Sequence, residues 1–82
     1  MRKESSTAAA DEALAMQVKL ALRQDVDTGG LPIDVQAENG VITLRGRVDR
    51  PEQREEAEQL ARRTLSVREV INQLRVSETE EA

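Results

Sequence analysis

Cysteine, histidine and all three aromatic residues are absent from this sequence of 82 residues. Without cysteine there is no disulfide and no thiolate metal site. Without histidine the commonest general base and metal ligand is missing. Without Phe, Tyr or Trp, the core must be built from Val, Ile, Leu, Ala and Met, and base stacking, an aromatic cage for a quaternary ammonium and an interfacial aromatic belt are excluded. No apolar run approaches the roughly 20 residues that span a bilayer. The opening stretch MRKESSTAAADEALAMQ carries basic residues but no continuous hydrophobic region, so it does not form a secretory signal. As written, the chain is expected to be cytoplasmic; as a mature or excised fragment it would be periplasmic or envelope-bound.

What is present is charge. The formal net charge is −4, unevenly distributed. Residues 1–40 hold four basic against seven acidic side chains, residues 41–76 hold eight arginines against six acids, and Glu78, Glu80 and Glu81 close the sequence. The overall sign argues against unspecific nucleic-acid binding and leaves room for a local arginine patch in the second half.

The stretch Ile33 to Val48 is the most informative. Two alternating runs flank Asn39-Gly40, the strongest short-range signal for a β-hairpin, because a two-residue type I′ turn needs φ > 0 at both central positions. A two-residue loop fixes the register, with Glu38 facing Val41, Gln36 facing Thr43 and Asp34 facing Arg45. Ile33, Val35, Ala37, Ile42, Leu44 and Val48 then share one apolar face with Gly46, where another element can approach closely. The other face carries Asp34, Gln36, Glu38, Thr43, Arg45 and Arg47. Asp34 and Arg45 are placed to form a cross-strand ion pair.

Helices are predicted on both sides. The first begins near Asp11, a good N-cap type, and recurs at Leu14, Val18, Ala21 and Leu22, with Met16 and Leu20 widening the stripe as core filler. It ends around Gln24 to Asp27. Gly29-Gly30 is then a linker rather than a phosphate loop, since no helix and no Lys-Ser or Lys-Thr follows. The second helix starts at Asp49-Arg50-Pro51-Glu52, with the cap left open between Asp49 and Arg50 and with Glu52 three residues after Asp49 as in a capping box. Its stripe is Ala57, Leu60, Ala61, Thr64 and Leu65, and Glu58 precedes Arg62 at ion-pair spacing. Val67 to Val76 is a third strand with Val70, Leu74 and Val76 inward. Asn72 falls on the same inward parity, where its amide is expected to satisfy backbone groups.

The order is α-β-β-α-β. The predicted fold class is α+β: an αββαβ two-layer sandwich, with two helices on one face of a three-stranded mixed sheet. A right-handed crossover makes the third strand parallel to the second. Strand 2 is favoured in the middle, and the pattern also allows strand 1 there. Residues 1–10 and 77–82 are expected to be disordered, leaving a domain over 11–76.

These residues resemble a BON domain, the small module named for bacterial osmotically inducible and nodulation proteins. The resemblance lies in Asp11-x-x-Leu14-x-x-x-Val18-x-x-Ala21-Leu22 with Asp25, Ile33-x-Val35, Asn39-Gly40-x-Ile42-Thr43-Leu44-x-Gly46-x-Val48, Ala57-x-x-Leu60-Ala61 and Val67-x-x-Val70-x-Asn72-x-Leu74-x-Val76. One departure is Ser66-Val67 where the family usually has Gly-Val, which would strain a backbone position needing φ > 0. The resemblance implies the αββαβ fold and a non-catalytic role in periplasmic and envelope proteins. It further implies binding to phospholipid membranes or support of protein contacts, and potassium binding in some members. It supplies no binding residue to carry over.

Catalysis is not expected, because Ser and Lys lack a His or Cys partner and no carboxylate pair has the spacing of a positioned acid and base. No cofactor is implied. The candidate binding residues are Arg45, Arg47, Arg50 and Arg75, since guanidinium groups grip phosphate bidentately and anionic phospholipid headgroups are the partner class that fits. The ordinary alternative for each is a solvated surface charge. The competing function is protein–protein interaction or self-association as a dimer, through the open sheet face or by strand addition at a sheet edge.

Overall fold

The computed structural model describes the backbone of residues 2–77 and side chains from residue 9 onward. The elements are α1 (Arg2–Gln24), β1 (Ile33–Glu38), β2 (Val41–Val48), α2 (Pro51–Arg63) and β3 (Glu69–Val76). They form a three-stranded sheet in the order β1-β2-β3, with β1 antiparallel and β3 parallel to β2. The fold is the α+β arrangement predicted, with strand 2 in the middle.

The hairpin has the expected register, from Glu38 opposite Val41 to Ile33 opposite Gly46. Asn39 and Gly40 have φ of 54° and 84°, as a type I′ turn requires. Gly46 has φ of 134°, and a Cβ there would run into the Pro32 carbonyl and lie 3.3 Å from the Ile33 Cα. The close approach at Gly46 is therefore that of the incoming β1 strand, its neighbour in the sheet.

One core lies between the helices and the inward face of the sheet. Leu14, Val18 and Leu22 of α1 and Ala57 and Ala61 of α2 pack on Val35, Ile42, Leu44, Val48, Val70 and Leu74. The two alanines are fully buried, which brings the α2 backbone close to the sheet.

Several expectations are corrected. α1 does not start at Asp11; it is helical from Arg2, continued through Ala8, Ala9 and Ala10, which favour helix without needing burial. The segment 1–10 is thus helical over its described part, while the acidic tail from residue 78 lies outside the described residues. Asp11 sits inside the helix, and its carboxylate accepts the Asn39 N–H at 3.0 Å, tying α1 to the hairpin turn. Met16 and Leu20 are 63% and 53% exposed rather than core. At 100° per residue each stands about 160° around the helix from Val18, on the side away from the sheet. Leu65 is 85% exposed, because α2 ends at Arg63 and Thr64 is already extended.

The cap of α2 is Arg50, and Gln53 takes the part assigned to Glu52: its side-chain oxygen accepts the N–H groups of Asp49 at 2.7 Å and Arg50 at 3.1 Å. The expected pair of Glu58 with Arg62 forms at 2.9 Å. Asp25 closes α1, its carboxylate accepting the N–H groups of Asp27 and Thr28 at 3.0 and 3.2 Å. Buried Thr28 donates its hydroxyl to the Leu22 carbonyl at 2.6 Å.

Ser66 has φ of 77°, the left-handed conformation in which glycine is unstrained. A side chain in that region costs about 1–2 kcal/mol, and glycine's extra unfolded-state freedom returns roughly half of it. Ser66→Gly is therefore expected to stabilise the fold by roughly 0.5–1 kcal/mol, read as a higher urea midpoint with an unchanged slope. A lower midpoint would show that the serine side chain contributes more than its backbone strain removes.

Candidate functional site

The sheet face turned away from the helices is open, with Asp11, Glu12 and Ala15 of α1 flanking Gln36, Thr43 and Ile71 in a cavity of about 650 Å³ at its hairpin end, and the strand register sorts its side chains into rows. At the hairpin end lie Glu38, Val41 and Glu69; next come Gln36, Thr43 and Ile71. Asp34, Arg45 and Gln73 form the third row, and Arg47 beside Arg75 forms the last. One end of the face is acidic and the other basic, with Thr43 and Ile71 between them.

At the basic end Arg45, Gly46, Arg47, Gln73 and Arg75 line an open depression of about 500 Å³. The structure thus brings together three of the four arginines singled out from the sequence. Arg50 is not among them; it stands at the N-cap of α2, beyond the end of β2.

The expected ion pair between Asp34 and Arg45 does not form. The Arg45 Nε instead donates to the Gln73 Oε1 at 3.1 Å, across to the strand on its other side. Among the described residues the ion pair within 4.0 Å is that of Glu58 with Arg62, so Arg45, Arg47 and Arg75 have no carboxylate partner at that range. Arg47 and Arg75 are direct neighbours in the β2–β3 ladder. Like charges so placed repel, and the repulsion is relieved by an anion that both can grip.

Another arginine near the sheet has a structural task. Arg54 of α2 donates from Nε to the Leu74 carbonyl at 3.1 Å and from Nη2 to the Asn72 carbonyl at 3.4 Å. Asn72 answers by donating to the Arg54 carbonyl at 3.0 Å and to the Glu58 carboxylate at 3.1 Å, while its oxygen accepts the Leu74 N–H at 3.1 Å. Inward-pointing Asn72 therefore satisfies backbone groups, as anticipated, and together with Arg54 it seals the outer edge of β3. Arg54 carried no distinguishing signal in the sequence, being one of many charged residues on α2.

A family model of the BON domain matches residues 10–78. The chain belongs to the BON-domain family. Comparison with curated proteins finds no match. Within this BON domain no described helix is long and apolar enough to cross a membrane.

A second charged group lies on the helical side of the BON domain. Oxygens of Asp25, Asp27 and Glu56 lie within 4.8 Å of one another, where the turn after α1 meets α2. Three monodentate carboxylates are about half the oxygen set that a hard cation such as calcium takes. The Glu56 carboxyl is held above its usual range, first by its hydrogen bond with Asp25, then by desolvation and by the charges of Asp25 and Asp27, against the opposing charge of Arg63. Glu58 is shifted the other way, by the hydrogen bond from Asn72 and then by Arg62.

These shifts fix the direction of the pH response. A carboxyl raised in the folded state favours folding while it is protonated, and that contribution is lost as pH rises from its unfolded value of 4.5 through the higher folded one. A lowered carboxyl such as Glu58 contributes above 4.5 and loses that contribution as pH falls through its folded value. Glu56→Gln is therefore expected to raise the urea midpoint near neutral pH and to leave it nearly unchanged at about pH 4. An equal shift at both pH values would show that the carboxylate repulsion is not its source.

Proposed function

We propose that this BON domain is a non-catalytic, envelope-associated module that docks on anionic phospholipid surfaces through the basic end of its open sheet face. The observation that carries this reading is the adjacency of Arg47 and Arg75, with no carboxylate of the described residues within ion-pair range, beside Arg45 in one shallow depression. Guanidinium forks match phosphate oxygens in pairs, and a rigid sheet holds the forks at fixed spacing. Each basic residue held at an anionic surface contributes about 1 kcal/mol, so three of them contribute roughly 3 kcal/mol. The chain has no Trp, Tyr or Phe to insert between headgroups. Attachment is then electrostatic, reversible and weakened by salt.

Co-sedimentation with vesicles tests this. The protein is expected to pellet with phosphatidylglycerol-containing vesicles at low salt, to stay in the supernatant with phosphatidylcholine alone, and to be released by high salt. Replacing Arg47 and Arg75 together by alanine should lower partitioning roughly 30-fold, about 2 kcal/mol for two cations. Arg50→Ala should lower it less, since Arg50 lies outside the depression. Protein that stays in the supernatant under every condition overturns the reading, and unchanged binding by the double variant moves the contact elsewhere on the surface.

A further inference from the structure

We infer that the open sheet face is also self-complementary, and that two copies of this chain pack face to face about a two-fold axis running across the strands. This goes beyond lipid docking and does not depend on it. Glu38 and Glu69 mark one end of the face, Arg47 and Arg75 the other, and Thr43 and Ile71 lie between. Ile71 is 39% exposed in the single chain, which gives the centre of the face an apolar patch to cover. The face as a whole is balanced, with Asp34, Glu38 and Glu69 against Arg45, Arg47 and Arg75.

Charge selects between the two axes available to a pair of facing sheets. An axis along the strands lays the basic end of one copy on the basic end of the other and acid on acid. An axis across the strands reverses one copy end for end. It lays each β3 on its counterpart, so that Glu69 of one copy meets Arg75 of the other, while Arg47 reaches toward Glu38 and Glu69. The contact repeats twice by symmetry, as an isologous interface requires. Aligned sheets pack about 10 Å apart with a crossing near 30°, which leaves room for arginine side chains to interdigitate.

The face is small. Eight residues of strand at about 3.3 Å each, across three strands about 4.8 Å apart, cover roughly 380 Å² per copy. The total of roughly 750 Å² is below the 1,200 Å² or so of stable complexes, so the dimer is weak and forms at high local concentration. Sheet-edge pairing is the competing route to self-association, and at the middle of β3 it is hindered, because Arg54 and Asn72 occupy the Asn72 carbonyl and the Leu74 N–H and carbonyl.

Sedimentation equilibrium over a concentration series reaching about 1 mM at low salt tests the inference. The weight-average mass is expected to rise from the monomer value of 9.1 kDa toward twice that figure, and to fall back at high salt. Two charge-reversed proteins decide the geometry: Glu38→Arg with Glu69→Arg, and Arg47→Glu with Arg75→Glu. All four positions are exposed, so circular dichroism should show both variants folded. Each alone has five charges of one sign against one of the other on its face, and its self-association should weaken at least about ten-fold. Mixed in equal amounts, they should associate with each other. Wild type that stays monomeric throughout overturns the inference, as does self-association that survives both reversals, or a mixture of folded variants that does not combine. Vesicle binding separates the two readings: the Glu-to-Arg variant should lose the dimer and bind anionic vesicles more tightly, whereas the Arg-to-Glu variant should lose both.

Discussion

The turn at Asn39-Gly40 is the constraint from which the rest of the sheet follows. Both residues sit at positive φ, so the loop is held to two residues and the β1–β2 register is fixed. A slip by one residue would exchange every buried side chain of the hairpin for an exposed one. The turn also positions its neighbours. Its amide at Asn39 is held by Asp11 from α1, and the Gly40 carbonyl accepts the Arg68 N–H at 2.7 Å where the chain enters β3. The first helix, the hairpin and the last strand are therefore all referenced to one loop.

At the other side of the sheet the bracket between α2 and β3 has a comparable role. Each of its hydrogen bonds contributes about 1 kcal/mol on its own. Their common effect is topological, because they occupy an edge that would otherwise template pairing with another chain. With β3 bracketed in this way and the inner face of the sheet filled by two helices, the outer face remains open for an encounter. Its chemistry is then set by register alone: the parallel pairing that aligns Val48 with Val76 also puts Arg47 beside Arg75.

The parts of this arrangement that depend on period and turn chemistry were legible in the sequence. Strand parity, hairpin register and helix order each follow from local patterns with few alternatives, whereas the strain at Ser66 was signalled only by the glycine that the family usually has there. The misplaced residues share a different character. Met16 and Leu20 are apolar but lie on the side of α1 turned away from the sheet, and Leu14, Val18 and Leu22 make the contact. Arg45 had an acidic neighbour on one strand and an amide on the other, and pattern does not tell which of two equidistant partners a long side chain takes. Arg50 was grouped with the other arginines as part of the loop adjoining the face, and it stands instead at the N-cap of α2, outside the depression. Asp11 has the chemistry of a cap and serves as one, for the hairpin turn rather than for its own helix.

Segregation of charge distinguishes this face from an ordinary solvated surface. A sheet that only needs solubility gains most by interspersing signs, so that each charge finds a cross-strand partner. Here the pairing is withheld: Arg45 turns to Gln73, and Arg47 and Arg75 are left side by side. Guanidinium groups in that arrangement are poised for whichever anion arrives in the right geometry, whether headgroup phosphates in a membrane plane or carboxylates presented by an inverted copy. The two proposed occupants would use the same atoms and exclude each other. Which one holds the face is then a matter of mass action, with local density of anionic lipid set against local density of protein. A weak dimer is compatible with such a choice, since an interface of standard size would keep the arginines out of reach of a membrane.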